Sequence, residues 1–190
     1  MQDTAFEGYN EIPAVIARGY TTIYEELNGL KPTHLFLQCG VGTFAASILG
    51  AFARDKILPV TTVVEPVSAA CAYESAKNGV PSPVYGGNTI MAGLNCGEVS
   101  LEAWPILKAF SRCFAKCSDE VAKRGMRELA KEHIVSGESG CAGFAAFSYI
   151  AQHIPQMREA LGIDENSVVL CINTEGDTDP ENYLKIINEA

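Results

Sequence analysis

The sequence predicts an α/β fold, a layered and mainly parallel sheet flanked by helices. Three observations lead there. Short apolar runs recur without polar alternation: "HLFLQ" (34–38), "PVTTVVEP" (59–66) and "SVVLCIN" (167–173). Runs of that kind suit strands buried on both faces, as in parallel sheets. Stretches with apolar residues at three- and four-residue spacing lie between them, so strands and helices alternate.

The elements follow in order. Pro13 opens a long helix through "AVIARGYTTIYEELNGL", with Val15, Ile16, Tyr20, Ile23, Tyr24 and Leu27 on its apolar face. Asn28-Gly29 supplies its stop. "HLFLQ" is a buried strand, followed by a helix from Thr43 to Arg54. "PVTTVVEP" is a β-branched strand stopped by Pro66, and Ser68 is placed to cap the helix "AACAYESAK". The Gly-, Pro- and Asn-rich "NGVPSPVYGGNT" is a loop. Helices are expected at roughly 100–117 and 118–132. "SGESGCAGFAAFSYIAQ" runs from a loop into a helix of small residues, with Ser136 or Ser139 as its cap. "SVVLCIN" is the third strand. A last helix follows Thr178 or Asp179 as N-cap and Pro180 at its first position. Three strands are few for a doubly wound domain of this length, which points to part of a larger fold or to a needed partner. No internal boundary divides residues 1–190.

Composition narrows the function. The 190 residues carry a formal charge of −9 without a block of like charges, which argues against nucleic acid and anionic membranes as partners. No apolar run reaches the roughly 18–20 residues of a membrane span. "MQDTAFEGYN" lacks the basic and apolar regions of a secretory leader, so the expected location is cytoplasmic. Seven cysteines sit mostly in apolar runs, as free thiols do. Cys113 and Cys117 stand four apart in an expected helix with no histidine beside them, so no zinc site is expected. One local pair, such as Cys71 with Cys96, stays open.

"QCGVGTFAAS" (38–47) is the first candidate site. Gly40-Val41-Gly42-Thr43-Phe44-Ala45 fits G-x-G-x-x-A between a strand and a helix. Such a turn aims backbone N–H groups and the positive end of a helix at an anion, and Thr43 can add a hydroxyl donor. It equally serves as a tight turn with φ > 0. Glu65, twenty residues past Ala45, could take a ribose hydroxyl, which keeps an NAD(P)-binding oxidoreductase open. Gly137-Glu138-Ser139-Gly140-Cys141 misses the nucleophile-elbow pattern at its last position. Glu138 is a candidate polar group facing a ligand, and Gly140 and Gly143 permit close approach. Thr174 is the first polar side chain beyond the last strand, where ligands of open α/β sheets bind. Asp3 is either an exposed terminal acid or an active-site carboxylate.

Six stretches, in order, resemble the C-terminal half of the diaminopropionate ammonia-lyase family: "QDTAFEGYNEIP", "PTHLFLQCGVGTFAAS", "VVEPVSAACAYESA", "TIMAGLNCGE" followed by "SLEAWPIL", "SGESGCAG" and "NTEGDTDP". The resemblance covers essentially the whole chain. It implies the fold-type II (tryptophan synthase β-like) class of pyridoxal-phosphate enzymes, in part. It also implies α,β-elimination of ammonia from the small amino acid 2,3-diaminopropionate, ending in pyruvate and a second ammonia. The phosphate of pyridoxal 5′-phosphate would rest on Gly40, Val41, Gly42, Thr43 and Phe44. Thr174 would meet the pyridine nitrogen, and Glu138 matches an acid at the glycine-containing helix. Asp3 becomes the candidate catalytic residue. In the family the Schiff-base lysine lies in the N-terminal half, so the chain by itself would lack that step and would need that half as partner. The family also suggests homodimers. Relatives with a metal near the cofactor pair a glutamate with an aspartate six residues on. Here Cys71 stands at that distance from Glu65, and no metal is expected. A non-catalytic remnant that binds a phosphorylated metabolite or a partner is the third reading.

Overall fold

A computed structural model describes residues 1–189. Helix α1 (Glu11–Glu26) leads into β1 (His34–Gln38), α2 (Thr43–Arg54), β2 (Val60–Pro66) and α3 (Cys71–Asn78). Then come α4 (Ala103–Phe110), β3 (Cys113–Cys117), α5 (Asp119–Lys131), α6 (Ala142–His153), α7 (Pro155–Leu161), β4 (Val169–Cys171) and α8 (Pro180–Asn188). The four strands form one sheet in the order β3-β2-β1-β4, and every pair is parallel. The expected α/β layering is what the chain adopts.

The unbroken apolar strands explain the layers. Leu35, Leu37 and Val63 point into one core with Ile48, Phe52, Trp104 and Leu107 of α2 and α4. Phe36 and Val64, one residue out of phase, point into the other core with Met126, Ala142, Ala145 and Ile150 of α5 and α6. Side chains alternate faces along a strand, so a strand covered on both sides carries apolar residues at successive rather than alternate positions. On the second face α6 lies very close to β1: a Cβ on Gly143 would sit 2.5 Å from the Phe36 carbonyl oxygen.

Several local expectations are corrected. Residues 100–117 are not one helix. Ser111 takes extended backbone, Arg112 N–H donates to Thr61 O at 2.8 Å, and 113–117 pairs with β2. Cys113 and Cys117 therefore lie on a strand. Tertiary pairing overrides helical spacing here, and it adds the fourth strand. Helix α7, set off by Pro155, was not expected. Ser68 does not cap α3, because Val67–Ala69 forms a short 3-10 turn and the helix starts at Cys71. Neither Ser136 nor Ser139 caps α6. Ser136 donates to Asn173 Oδ1 at 2.8 Å, and Ser139 Oγ accepts from Gly93 N–H at 3.0 Å. At α8 the expectation holds: Asp179 accepts from Asn182 N–H at 3.1 Å, with Pro180 next. All seven cysteines are free thiols, Cys71 and Cys96 included. No described helix is long and apolar enough to cross a membrane.

Candidate cofactor-binding site

The sheet order creates the site. From β1 the chain moves one way, to β2 and β3, and later returns to the other side of β1 with β4. Loops leaving β1 and β4 therefore diverge and open a crevice at the carboxyl ends of the strands. A cavity of about 470 Å³ lies there. Gln38 to Ala45 line one wall, Thr174, Glu175 and Thr178 another, and Gly93, Leu94, Cys96 and Ser139 the rest, with Asp3 and Tyr20 at one end.

The wall after β1 is a helix start. Gly42 is the N-cap of α2 at φ 95°, and no side chain caps it. The first intrahelical bond of the helix is Ala46 N–H to Gly42 O, so the N–H groups of Thr43, Phe44 and Ala45 have no partner within it. A Cβ on Gly40 would lie 3.0 Å from Cys96 Sγ and 3.2 Å from Gly93 O, so the 92–96 loop needs glycine there. Thr43 departs from expectation: its hydroxyl donates to Asp3 O at 2.9 Å and ties the N-terminal segment to the turn. What the turn offers an anion is backbone.

The wall after β4 is held by two buried or half-buried polar side chains. Gln38, 2% exposed, donates through Nε2 to Ile172 O and to Thr174 Oγ1, both at 2.8 Å. Glu175 Oε2 accepts from Ser139 N–H at 2.8 Å and Gly140 N–H at 3.0 Å, which pins the loop before α6 against the β4 exit. Sequence reading did not single out Gln38 or Glu175. A glutamine closing an otherwise apolar buried strand was the available signal for the first. The second pairs with a loop 36 residues away in sequence, which no local pattern reveals.

Most of the expected site residues come together. Gly40, Val41, Gly42, Thr43, Phe44, Thr174 and Asp3 all line the one cavity. Glu138 does not. Its Oε1 accepts from Asn182 Nδ2 at 2.5 Å, so the side chain turns onto α8, and the neighbouring Ser139 faces the cavity instead. Asp3 sits close enough for its charge to act on Tyr20 and Cys96. Burial first, then Asp3, raises both of their pKa values, so both stay neutral near pH 7.

Glu65 does not face the cavity either, which removes its ribose role. Fully buried, its two oxygens accept from Ala72 N–H at 2.8 Å and Tyr73 N–H at 2.7 Å, at the start of α3. It does the capping expected of Ser68. Burial pushes its carboxyl up to about 7, against the opposing pull of those N–H donors and of Lys116. The folded protein thus keeps a proton that the unfolded chain gives up near 4.5. Stability from this group is greatest below pH 4.5 and falls as pH rises towards 7, by up to ~3 kcal/mol. Urea unfolding at pH 5 and pH 7.5 should show this fall, and Glu65→Gln should flatten it. An unchanged slope in the variant would assign it to other groups.

The family model described as "Pyridoxal-phosphate dependent enzyme" matches residues 5–175. The diaminopropionate ammonia-lyase of Salmonella typhimurium is 41% identical, over 98% of this chain and 51% of that protein. The crystal structure of the Escherichia coli diaminopropionate ammonia lyase, in complex with an aminoacrylate-PLP azomethine reaction intermediate, superposes with a TM-score of 0.89. It is 37% identical and is matched over 98% of this chain and 51% of that one. Threonine deaminase isoform 2 from Solanum lycopersicum, at 17% identity and a TM-score of 0.79, shares the fold. The chain spans about half the length of the curated relatives it matches.

Proposed function

The chain belongs to the pyridoxal-phosphate dependent enzymes, and on that premise we propose that it forms the cofactor-cradling part of a lyase that removes ammonia from 2,3-diaminopropionate, leaving pyruvate and a second ammonia. One observation carries the cofactor assignment. An uncapped helix start and a hydroxyl beyond a neighbouring strand face a single cavity at the point where the strand order reverses. The substrate assignment draws on the names of relatives about 40% identical.

The residues present fit this cofactor. The partnerless N–H groups at the start of α2 suit its phosphate, with the helix dipole adding attraction of order 0.3–1 kcal/mol. Gly40 to Phe44 would hold that end, and Thr174 would face the ring nitrogen. Bound there, pyridoxal phosphate would supply an electron sink for breaking bonds at the substrate α-carbon. The protein's part is to orient and to move protons. Asp3 lines the cavity, its backbone carbonyl accepts from the Thr43 hydroxyl, and its carboxylate would accept a proton there. None of the cavity-lining residues is a lysine, so the Schiff-base lysine would come from the rest of the polypeptide, the N-terminal half, or a partner subunit. A homodimer in the cytoplasm belongs to the same proposal, and seven free thiols suit a reducing compartment.

The test is pyruvate release. The complete protein with pyridoxal 5′-phosphate should release pyruvate from 2,3-diaminopropionate, and the 190-residue chain alone should not. Turnover of serine or threonine with none of diaminopropionate would overturn the substrate. Saturable NADH binding with no response to pyridoxal phosphate would overturn the cofactor.

A further inference from the structure

Gln38 stands between the two ends of the proposed cofactor site. It is the last residue of β1, and Cys39 and Gly40 of the phosphate turn follow it directly. Its side chain crosses to the exit of β4 and touches Thr174. The direction of that bond is not free. Nε2 also approaches two backbone carbonyls, Ile172 O at 2.8 Å and Gly140 O at 3.4 Å. Only the NH₂ end of an amide can face two carbonyl oxygens. The Thr174 oxygen, 2.8 Å from that same nitrogen, must therefore accept, since an amide nitrogen accepts nothing. Its own proton has to go elsewhere. Among the described residues Thr174 Oγ1 has no acceptor, and Thr174 lines the cavity. The proton is left for whatever occupies that cavity. Gln38 Oε1, buried and without a partner, faces Gly143 on α6. The amide thus forgoes one hydrogen bond while its NH₂ keeps this orientation.

We propose that Gln38 is a positioning residue: it holds the Thr174 hydroxyl as a donor towards the cavity, so that the group received there is an unprotonated ring nitrogen. This rests on the reading of the cavity as a pyridoxal-phosphate site. A donated hydrogen bond stabilises the neutral nitrogen and disfavours its protonation. Without the Gln38 N–H, nothing fixes the Thr174 oxygen as an acceptor or its proton towards the cavity. The hydroxyl then turns away, and its oxygen is free to accept from a protonated ring.

The experiment loads the complete protein with pyridoxal 5′-phosphate labelled with ¹⁵N in the ring, and follows ring nitrogen and phosphate by NMR across pH. Gln38→Met keeps the length of the side chain and removes the donor. Its ring nitrogen should protonate roughly one pH unit higher than in the parent, the worth of about one hydrogen bond. The ³¹P signal of the bound cofactor should not move. Gln38→Glu, nearly isosteric, should also raise the midpoint, because a carboxyl oxygen can accept the Thr174 proton; it decides the question if the methionine variant does not fold. In a Thr174→Val background neither change should add a further shift. A folded variant whose ring nitrogen titrates as in the parent, with phosphate bound, overturns the role of Gln38 and leaves the cofactor site standing. A shift of equal size in the Thr174→Val background overturns it too. Absence of any bound ³¹P signal in the parent overturns the cofactor reading, and this inference with it.

Discussion

Gly42→Ala is expected to lower the affinity of the protein for pyridoxal 5′-phosphate at least about 100-fold. Gly42 is the N-cap of α2 at φ 95°, a backbone conformation that strains any residue with a Cβ by ~1–3 kcal/mol. The added methyl also has nowhere to go: it would lie 2.9 Å from Leu107 Cδ1 and 3.3 Å from Ala103 Cβ. The leucine end can give way, but α4 is packed against α2 in the same core. The cheaper relief is rotation of the peptide planes on either side of Gly42. That swings the N–H groups of Gly42 and Thr43 off the cavity. Hydrogen bonds from backbone N–H to a charged acceptor are worth ~1.5–3 kcal/mol each, so losing two accounts for the drop. Titration of pyridoxal phosphate into parent and variant, each shown by its unfolding curve to be folded, is the measurement. Equal affinities would mean that the phosphate does not sit on this turn.

The second large effect concerns stability. Gly143→Ala is expected to destabilise the protein by ~3 kcal/mol, although the site is inside a helix, where alanine ordinarily gains up to ~1 kcal/mol over glycine. The sign is reversed by β1. The new Cβ would lie 2.5 Å from Phe36 O and 3.2 Å from its carbonyl carbon, in the backbone of a central strand that cannot yield without opening the sheet. α6 would have to lift away from β1. Gly50→Ala is the control. In α2 the nearest atoms to its Cβ are Ile106 Cδ1 at 3.6 Å and Cγ2 at 3.7 Å, ordinary contact, so this change should stabilise by ~0.5–1 kcal/mol. Urea unfolding of the three proteins compares them. Similar stabilities for both variants would show that α6 can shift without loss.

Legibility in the sequence followed the range of the interactions. "HLFLQ" and "PVTTVVEP" read as doubly buried strands because burial on both faces leaves its mark on every residue of the run. The strand-to-helix turn at Gly40 and Gly42 read correctly because a positive φ and a close backbone approach at a helix start demand glycine locally. "CFAKC" did not read as a strand. Its extended form comes from pairing with β2, fifty residues earlier in the sequence, and five residues hold too little period to outweigh the helical pattern before them. Glu138 and Glu175 show the same limit. Both are acids in loops near helix starts, and nothing local tells which one turns onto α8 and which closes the cavity wall.

The sequence alone determined the layered α/β class and the glycine turn that starts α2 after Gly42, because propensity, glycine geometry and the doubly buried strand pattern act within a few residues. Only the tertiary structure decided that β3 exists, that Glu65 caps α3 away from the cavity, and that Gln38 reaches across the strand exits to donate to Thr174. Those outcomes depend on which distant backbone groups compete for each donor and acceptor. That competition is settled only once the chain has packed.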